Sequence, residues 1–164
     1  MRFIILISIS CLIFAQDSGV QSVYDFWQDG IWEAESIQYN GKQIKGRETY
    51  TVKRILGKQI IEELWDFDEE GFKETARVIR AYDEETKQWR LFYFDGLYAQ
   101  VWDSKVINGK LYHTKEFNFS GKRILSRQNF HKESNRVIRT IERSVDNGKT
   151  WTTRYFIVLK RRDI

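Results

Sequence analysis

The sequence predicts an all-β chain, an antiparallel up-and-down barrel of about eight to ten strands behind a short N-terminal helical turn. Beyond Gly30 many apolar residues alternate with period two, and no later segment carries a helical stripe longer than a turn. Turn residues such as Asn-Gly, Asp-Gly and Ser-Gly recur roughly every 8 to 15 positions. The chain contains no proline, so no ladder loses a backbone donor to one.

The first residues stand apart from that pattern. Met1-Arg2 supplies one positive charge, Phe3 to Phe14 is almost wholly apolar, and Ala15-Gln16 precedes the polar Asp17-Ser18-Gly19. This is the order of a secretory signal, with cleavage expected after Ala15 and export to the periplasm or the medium. An apolar run of about 12 residues is short of the ~20 that span a bilayer, so no stable membrane span is expected after cleavage. A lipid anchor on Cys11 is the weaker alternative, because Leu12-Ile13-Phe14 stays apolar where an anchored chain turns polar. Residues 16–164 then form one domain, without a cysteine and hence without disulfides. The formal charge of the whole chain is +4, and its cations are interleaved with acids. Nucleic-acid binders concentrate their cations in a stripe, so nucleic acid is not an expected partner.

Val20, Val23, Tyr24 and Trp27 share one helical face and predict a short helix over Val20–Gln28. Strands follow over Ile31–Tyr39, Lys42–Leu56, Gln59–Phe67, Phe72–Tyr82 and Gln88–Phe94, then over Leu97–Ile107, Lys110–Phe119, Arg123–Phe130, Arg136–Val145 and Thr150–Arg161. Asn40-Gly41 and Asn108-Gly109 are the strongest of the hairpin signals between them. In the last strand Trp151, Thr153, Tyr155, Ile157 and Leu159 share a face opposite Thr152, Arg154, Phe156, Val158 and Lys160. The segment Trp89–Phe94 is apolar on both faces. An open sheet edge so rich in aromatics would invite aggregation, which favours closure into a barrel over a sandwich.

Gly30-Ile31-Trp32, at the head of the first strand, resembles the Gly-x-Trp signature of lipocalin and calycin barrels. The resemblance covers nearly all of residues 16–164. It implies that Trp32 plugs the barrel base against a basic residue of the closing strand, Arg154 or Arg161. Ser144-Val145-Asp146-Asn147-Gly148-Lys149-Thr150-Trp151 resembles the Asp-box hairpin of sialidases and other propellers. In it Asp146 accepts backbone N–H bonds, Gly148 takes positive φ and Trp151 packs beneath. A single copy in a chain too short for several blades speaks against a sialidase. The same hairpin is similar to one near the C-terminus of uncharacterised bacterial secreted proteins with a lipocalin-like fold. With the hairpin around Gly57-Lys58, that group is the nearest resemblance.

No cofactor is implied. Asp66-x-Asp68-x-Glu70-Gly71 begins like a calcium loop, but Arg77 stands where the bidentate glutamate belongs. Of the two histidines, His131 lies beside the polar turn 132–135 and is expected at the surface, while His113 alternates with Leu111 and Phe117 and faces inward. Two histidines and no cysteine in residues 16–164 make a structural zinc site improbable. There is no Gly-x-Ser-x-Gly. Glu62, Glu63, Glu74 and Glu116 all lie in strands, and the pattern does not show two of them meeting across a cavity. The expected function is therefore an exported barrel binding a small apolar or aromatic molecule, with Trp65, Tyr93, Trp102 and His113 as candidate lining. Two alternatives are an enzyme pairing His113 with an inward acid, and a non-catalytic envelope protein that meets a protein partner through an exposed aromatic patch.

Overall fold

The computed structural model describes residues 22–57 and 60–163. The expected signal, Cys11, Val20 and the Lys58-Gln59 pair lie outside the described residues. The strands are β1 (Gly30–Tyr39), β2 (Lys42–Gln43), β3 (Gly46–Ile55), β4 (Ile60–Glu69), β5 (Phe72–Asp83), β6 (Gln88–Phe94), β7 (Ala99–Ile107), β8 (Lys110–Phe119), β9 (Lys122–Glu133), β10 (Arg136–Ser144) and β11 (Thr152–Arg161). Each long strand pairs antiparallel with the next, and β11 pairs back onto β1 from Trp32↔Arg161 to Tyr39↔Tyr155. The result is a closed all-β barrel of ten strands, consistent with a lipocalin-like fold. Closure removes the free edges that so aromatic a sheet would otherwise expose.

Two elements differ from the sequence expectation. The expected strand over Lys42–Leu56 is interrupted at Ile44-Lys45, leaving β2 as a two-residue ribbon on Gln38 and Tyr39 and β3 as the barrel strand. The N-terminal helix is a single 3₁₀ turn, Ser22–Tyr24, and the chain then turns to bring Trp27 beneath the barrel. Trp27 packs on Trp32, their ring centroids 4.8 Å apart, so tertiary burial of indoles rather than helix propensity shapes this segment.

Tight turns set the register. Asn40-Gly41, Asn108-Gly109 and Ser120-Gly121 all have positive φ at both residues, the conformation whose twist matches paired strands. Because the strands alternate up and down, Trp32, Arg161 and the 3₁₀ turn lie at one end, the base. The turns at residues 40–45, 70–71, 95–98, 120–121 and 145–151 ring the other end, the mouth. Gly30 explains the base. Its φ is +136°, and a Cβ there would stand 3.0 Å from Arg161 Nε, so only glycine admits the guanidinium beneath β1. Arg161 donates to the Asp29 carbonyl (2.5 Å), and Trp32 Nε1 donates to the Gln28 carbonyl (3.0 Å). Of the two arginines named for the base, Arg161 is the one that lies there, opposite Trp32 in the β1–β11 register. Arg154 lies at the far end of β1, its guanidinium 5.7 Å from the Tyr39 ring, because the β1–β11 register carries residues 154–156 to the mouth.

Candidate ligand-binding site

Period-two alternation turns one side chain in two toward the barrel axis, and four of the buried inward positions in β3, β4, β5 and β10 carry charge: Glu48, Glu63, Arg80 and Arg139. They form two clusters stacked along the axis, joined through Trp65 and Phe130.

The lower cluster is sealed. Ile61 faces Arg80 and Glu63 faces Val78 in the β4–β5 register, so Glu63 and Arg80 are diagonal inward neighbours. Both side chains are fully buried and ion-paired through Arg80 Nε and Glu63 Oε1. Arg80 Nη1 donates to Tyr24 Oη (3.1 Å), and Trp65 Nε1 donates to Glu63 (2.6 Å). Tyr24 Oη lies 2.6 Å from His113 Nε2, and His113 Nδ1 lies 2.9 Å from Ser104 Oγ. Since the Tyr24 oxygen accepts from Arg80, its own proton goes to His113 Nε2. That fixes the neutral tautomer, with Nδ1–H donating to Ser104. Burial, aided by the Arg80 charge, holds the His113 pKa well below that of a free imidazole. Burial also pushes the Tyr24 phenol up to about 12 against the opposing pull of Arg80. The Arg80 guanidinium sits 4.2 Å from the Phe130 ring centroid. Every polar group of this chain has a partner, and it locks the N-terminal turn onto the barrel.

The upper cluster faces a cavity of about 290 Å³ at the mouth. Tyr50 stands directly opposite Trp65 across β3–β4, with their rings edge to face at 5.1 Å. Arg139, opposite Phe130 on β9 and Ile157 on β11, lays its guanidinium 4.1 Å from the Trp65 ring centroid. Arg139 Nη1 donates to Tyr50 Oη (2.8 Å), and Tyr50 in turn donates to Glu48. Glu48 remains 3.9 Å from Arg139, beyond hydrogen-bond reach. Arg139 Nε is buried without an acceptor, and the buried Gln128 Oε1 lacks a donor. Glu69 lies diagonal to Glu48 across β3–β4 and hydrogen-bonds it. Burial first, then this contact with Glu48, raise the Glu69 pKa to about 7. Gly46 permits the approach, since a Cβ at that position would lie 2.8 Å from Glu69 Cα.

Trp65, Tyr93 and Trp102 line this cavity together with Phe67, Phe117 and Ile157. His113 does not. It lies one level below, fully buried in the sealed chain, and the lining reading of His113 is corrected accordingly. His131 is half-buried between Asn129 (3.0 Å) and Glu133 (3.3 Å) rather than free at the surface. Of the four glutamates singled out, Glu63 is the fully buried one, and it is committed to Arg80; Glu74 shares the inward parity of β5 and lies at the mouth beside Asp95, while Glu62 and Glu116 pair outside with Arg77 and Arg123.

The turn before β11 is a closed hydrogen-bonded unit. Ser144 Oγ donates to Asp146 (2.7 Å), Gly148 N donates to Ser144 Oγ (2.8 Å), and Thr150 N donates to Asp146 (2.9 Å). Trp151 Nε1 reaches the Gly148 carbonyl (3.1 Å), and its ring carries Arg127 at 4.1 Å. These bonds, the Ser144 and Thr150 hydroxyls first, bring the Asp146 pKa down to about 2. The unit lies at the mouth without lining the cavity, apart from Arg143 just before it.

Arg139, Glu48, Glu69, Tyr50 and Gln128 escaped the sequence reading. Their signal is a polar residue in inward parity between apolar ones, as in Val137-x-Arg139-x-Ile141 and Glu48-x-Tyr50-x-Val52. Among the described residues no group of three or more metal-ligating side chains comes together. The sequence matches no protein-family model and no curated protein.

Proposed function

We propose that the protein is an exported, lipocalin-like carrier or sensor that holds one small molecule with an aromatic or apolar body in the mouth cavity. The observation that carries this reading is the contrast within one barrel: the base is filled by indoles and a fully bonded polar chain, whereas the mouth keeps about 290 Å³ open between aromatic walls. That volume is at the lower edge of the roughly 300–1,000 Å³ usual for ligand pockets, which suits a molecule of one or two rings. Tyr39, Phe72, Phe94, Leu97, Tyr98, Phe119 and Val145 are exposed around the mouth and give an apolar approach to it. Export is supported by the signal-like order of residues 1–15.

The catalytic alternative built on His113 loses its base, because that imidazole is sealed from the cavity and already bonded at both nitrogens. The test is titration with N-phenyl-1-naphthylamine, a neutral fluorophore of two aromatic units. Saturable one-to-one binding that disappears in Ile141→Trp, which fills the cavity, is expected. Absence of binding, or binding unchanged by Ile141→Trp, would overturn the reading.

A further inference from the structure

The cavity's unmet hydrogen-bonding demand points to the ligand's chemistry, given that the cavity is a ligand site at all. Two of its three acids already have donors. Glu48 accepts from Tyr50 and is in hydrogen-bond contact with Glu69. Asp95 accepts from the backbone N–H groups of Leu97 (2.7 Å) and Tyr98 (2.6 Å). Its innermost cation is different. Arg139 is only 6% exposed and its Nε has no acceptor, though an arginine always carries its charge. A buried charged donor left unmet is costly, and a carboxylate is the group whose two oxygens match a guanidinium edge. Gln128, opposite Ile141 and so diagonal to Arg139, is 3% exposed with its Oε1 unpartnered, and its amide can turn to present N–H to the same anion. Beside these groups stand flat aromatic walls, with Trp102 and Phe117 edge to face at 5.7 Å.

We propose that the cavity takes a small aromatic carboxylate, its carboxylate on Arg139 beside Gln128 and its ring among Trp65, Trp102 and Phe117. Glu69 sets the charge that this anion meets. Glu69 is faced by Glu48 from β3, Arg139 from β10 and Tyr155 from β11, with Tyr39 and Lys45 on its outer side. Arg143 and Asp95 complete the charged lining of the cavity. As pH falls through about 7 Glu69 takes up a proton. One negative charge leaves the cavity, and an anion binds more tightly.

Isothermal titration with phenylacetate, phenylacetamide and phenethylamine compares an anion, a neutral isostere and a cation on one ring. Phenylacetate is expected to bind at least tenfold more tightly than phenylacetamide, with phenethylamine weakest. Arg139→Met should erase the preference for the acid. Arg139→Lys, which keeps the charge and loses Nε, should reduce it several-fold and serves if the methionine variant does not fold. Between pH 8 and pH 6 phenylacetate should tighten, and Glu69→Gln should flatten that dependence. Equal affinity for acid and amide, a preference for the amine, or an acid preference that survives both Arg139 variants would overturn the proposal. Failure of all three probes while N-phenyl-1-naphthylamine binds also overturns it and leaves the binding role standing. Failure of the fluorophore as well removes both.

Discussion

Arg80 and Arg139 lie inside the same barrel, each stacked toward Phe130 and each with a tyrosine and a glutamate at hand, yet they are built for different ends. Arg80 spends its donors on Glu63 and Tyr24 and is wholly buried. Arg139 has a bond to Tyr50, an ion-pair partner held at 3.9 Å, and an Nε with no acceptor. A buried charge whose partners are all protein is a structural part. A buried charge with an empty donor beside a cavity waits for something the chain does not supply. The difference comes from register: Glu63 sits diagonal to Arg80 on the adjacent strand, whereas Glu48 is on β3, across the barrel from β10, and meets Arg139 only through Tyr50.

The largest effect should come from removing an acid at each level. Glu63→Leu strands Arg80 without its counter-ion and is expected to cost about 3–5 kcal/mol in urea unfolding. Glu48→Leu removes an acceptor from Tyr50 but leaves Arg139 open to the cavity, and about 1 kcal/mol is expected. Equal losses would erase the distinction between the two levels.

Glycine substitutions carry the comparison to the backbone. Gly30→Ala forces an alanine into a φ of +136° and against Arg161, a strain of about 1–3 kcal/mol at the base. Gly46→Ala meets no such φ penalty, but its Cβ meets the Glu69 backbone and pushes the two carboxyls apart. Its signature should be a lower Glu69 pKa, measured by carboxyl-selective NMR titration, with a change in probe affinity.

A smaller effect, opposite in sign at the two levels, is expected against pH. His113 is held neutral, its folded pKa far below the ordinary 6.5, so the unfolded chain binds the extra proton and stability falls as pH drops below 6.5. Glu69 has its folded pKa raised from 4.5 to about 7, so the folded chain binds the extra proton and stability falls as pH rises across that window. His113→Gln should flatten the acid side of the stability profile and Glu69→Gln the neutral side. The mouth turn adds a third, minor term. Asp146, with its pKa near 2, should stabilise the β10–β11 hairpin down to strongly acidic pH, and Asp146→Asn should loosen amide exchange there first.

Legibility in the sequence followed the same division. The barrel could be read because period-two alternation, Asn-Gly turns and the absence of proline are local signals that all agree. Gly30 and Trp32 were readable as a base, but the choice of Arg161 over Arg154 depended on the β1–β11 register, which no local pattern fixes. Aromatic lining at Trp65, Tyr93 and Trp102 could be inferred from composition and parity. His113 shares that parity, and only its height along the axis assigns it to the sealed chain rather than to the cavity. The charged floor of the site was missed because Glu48 and Arg139 are brought together by closure across strands far apart in sequence.

Urea unfolding of Arg80→Met beside Arg139→Met at neutral pH tests the central distinction most directly. Arg80→Met leaves Glu63 buried and unpaired, and a loss of about 3–5 kcal/mol is predicted. Arg139→Met removes an unmet donor from a cavity wall, and stability within about 1 kcal/mol of the parent, or above it, is predicted. Comparable large losses in both would contradict the account, because Arg139 would then be a structural part like Arg80.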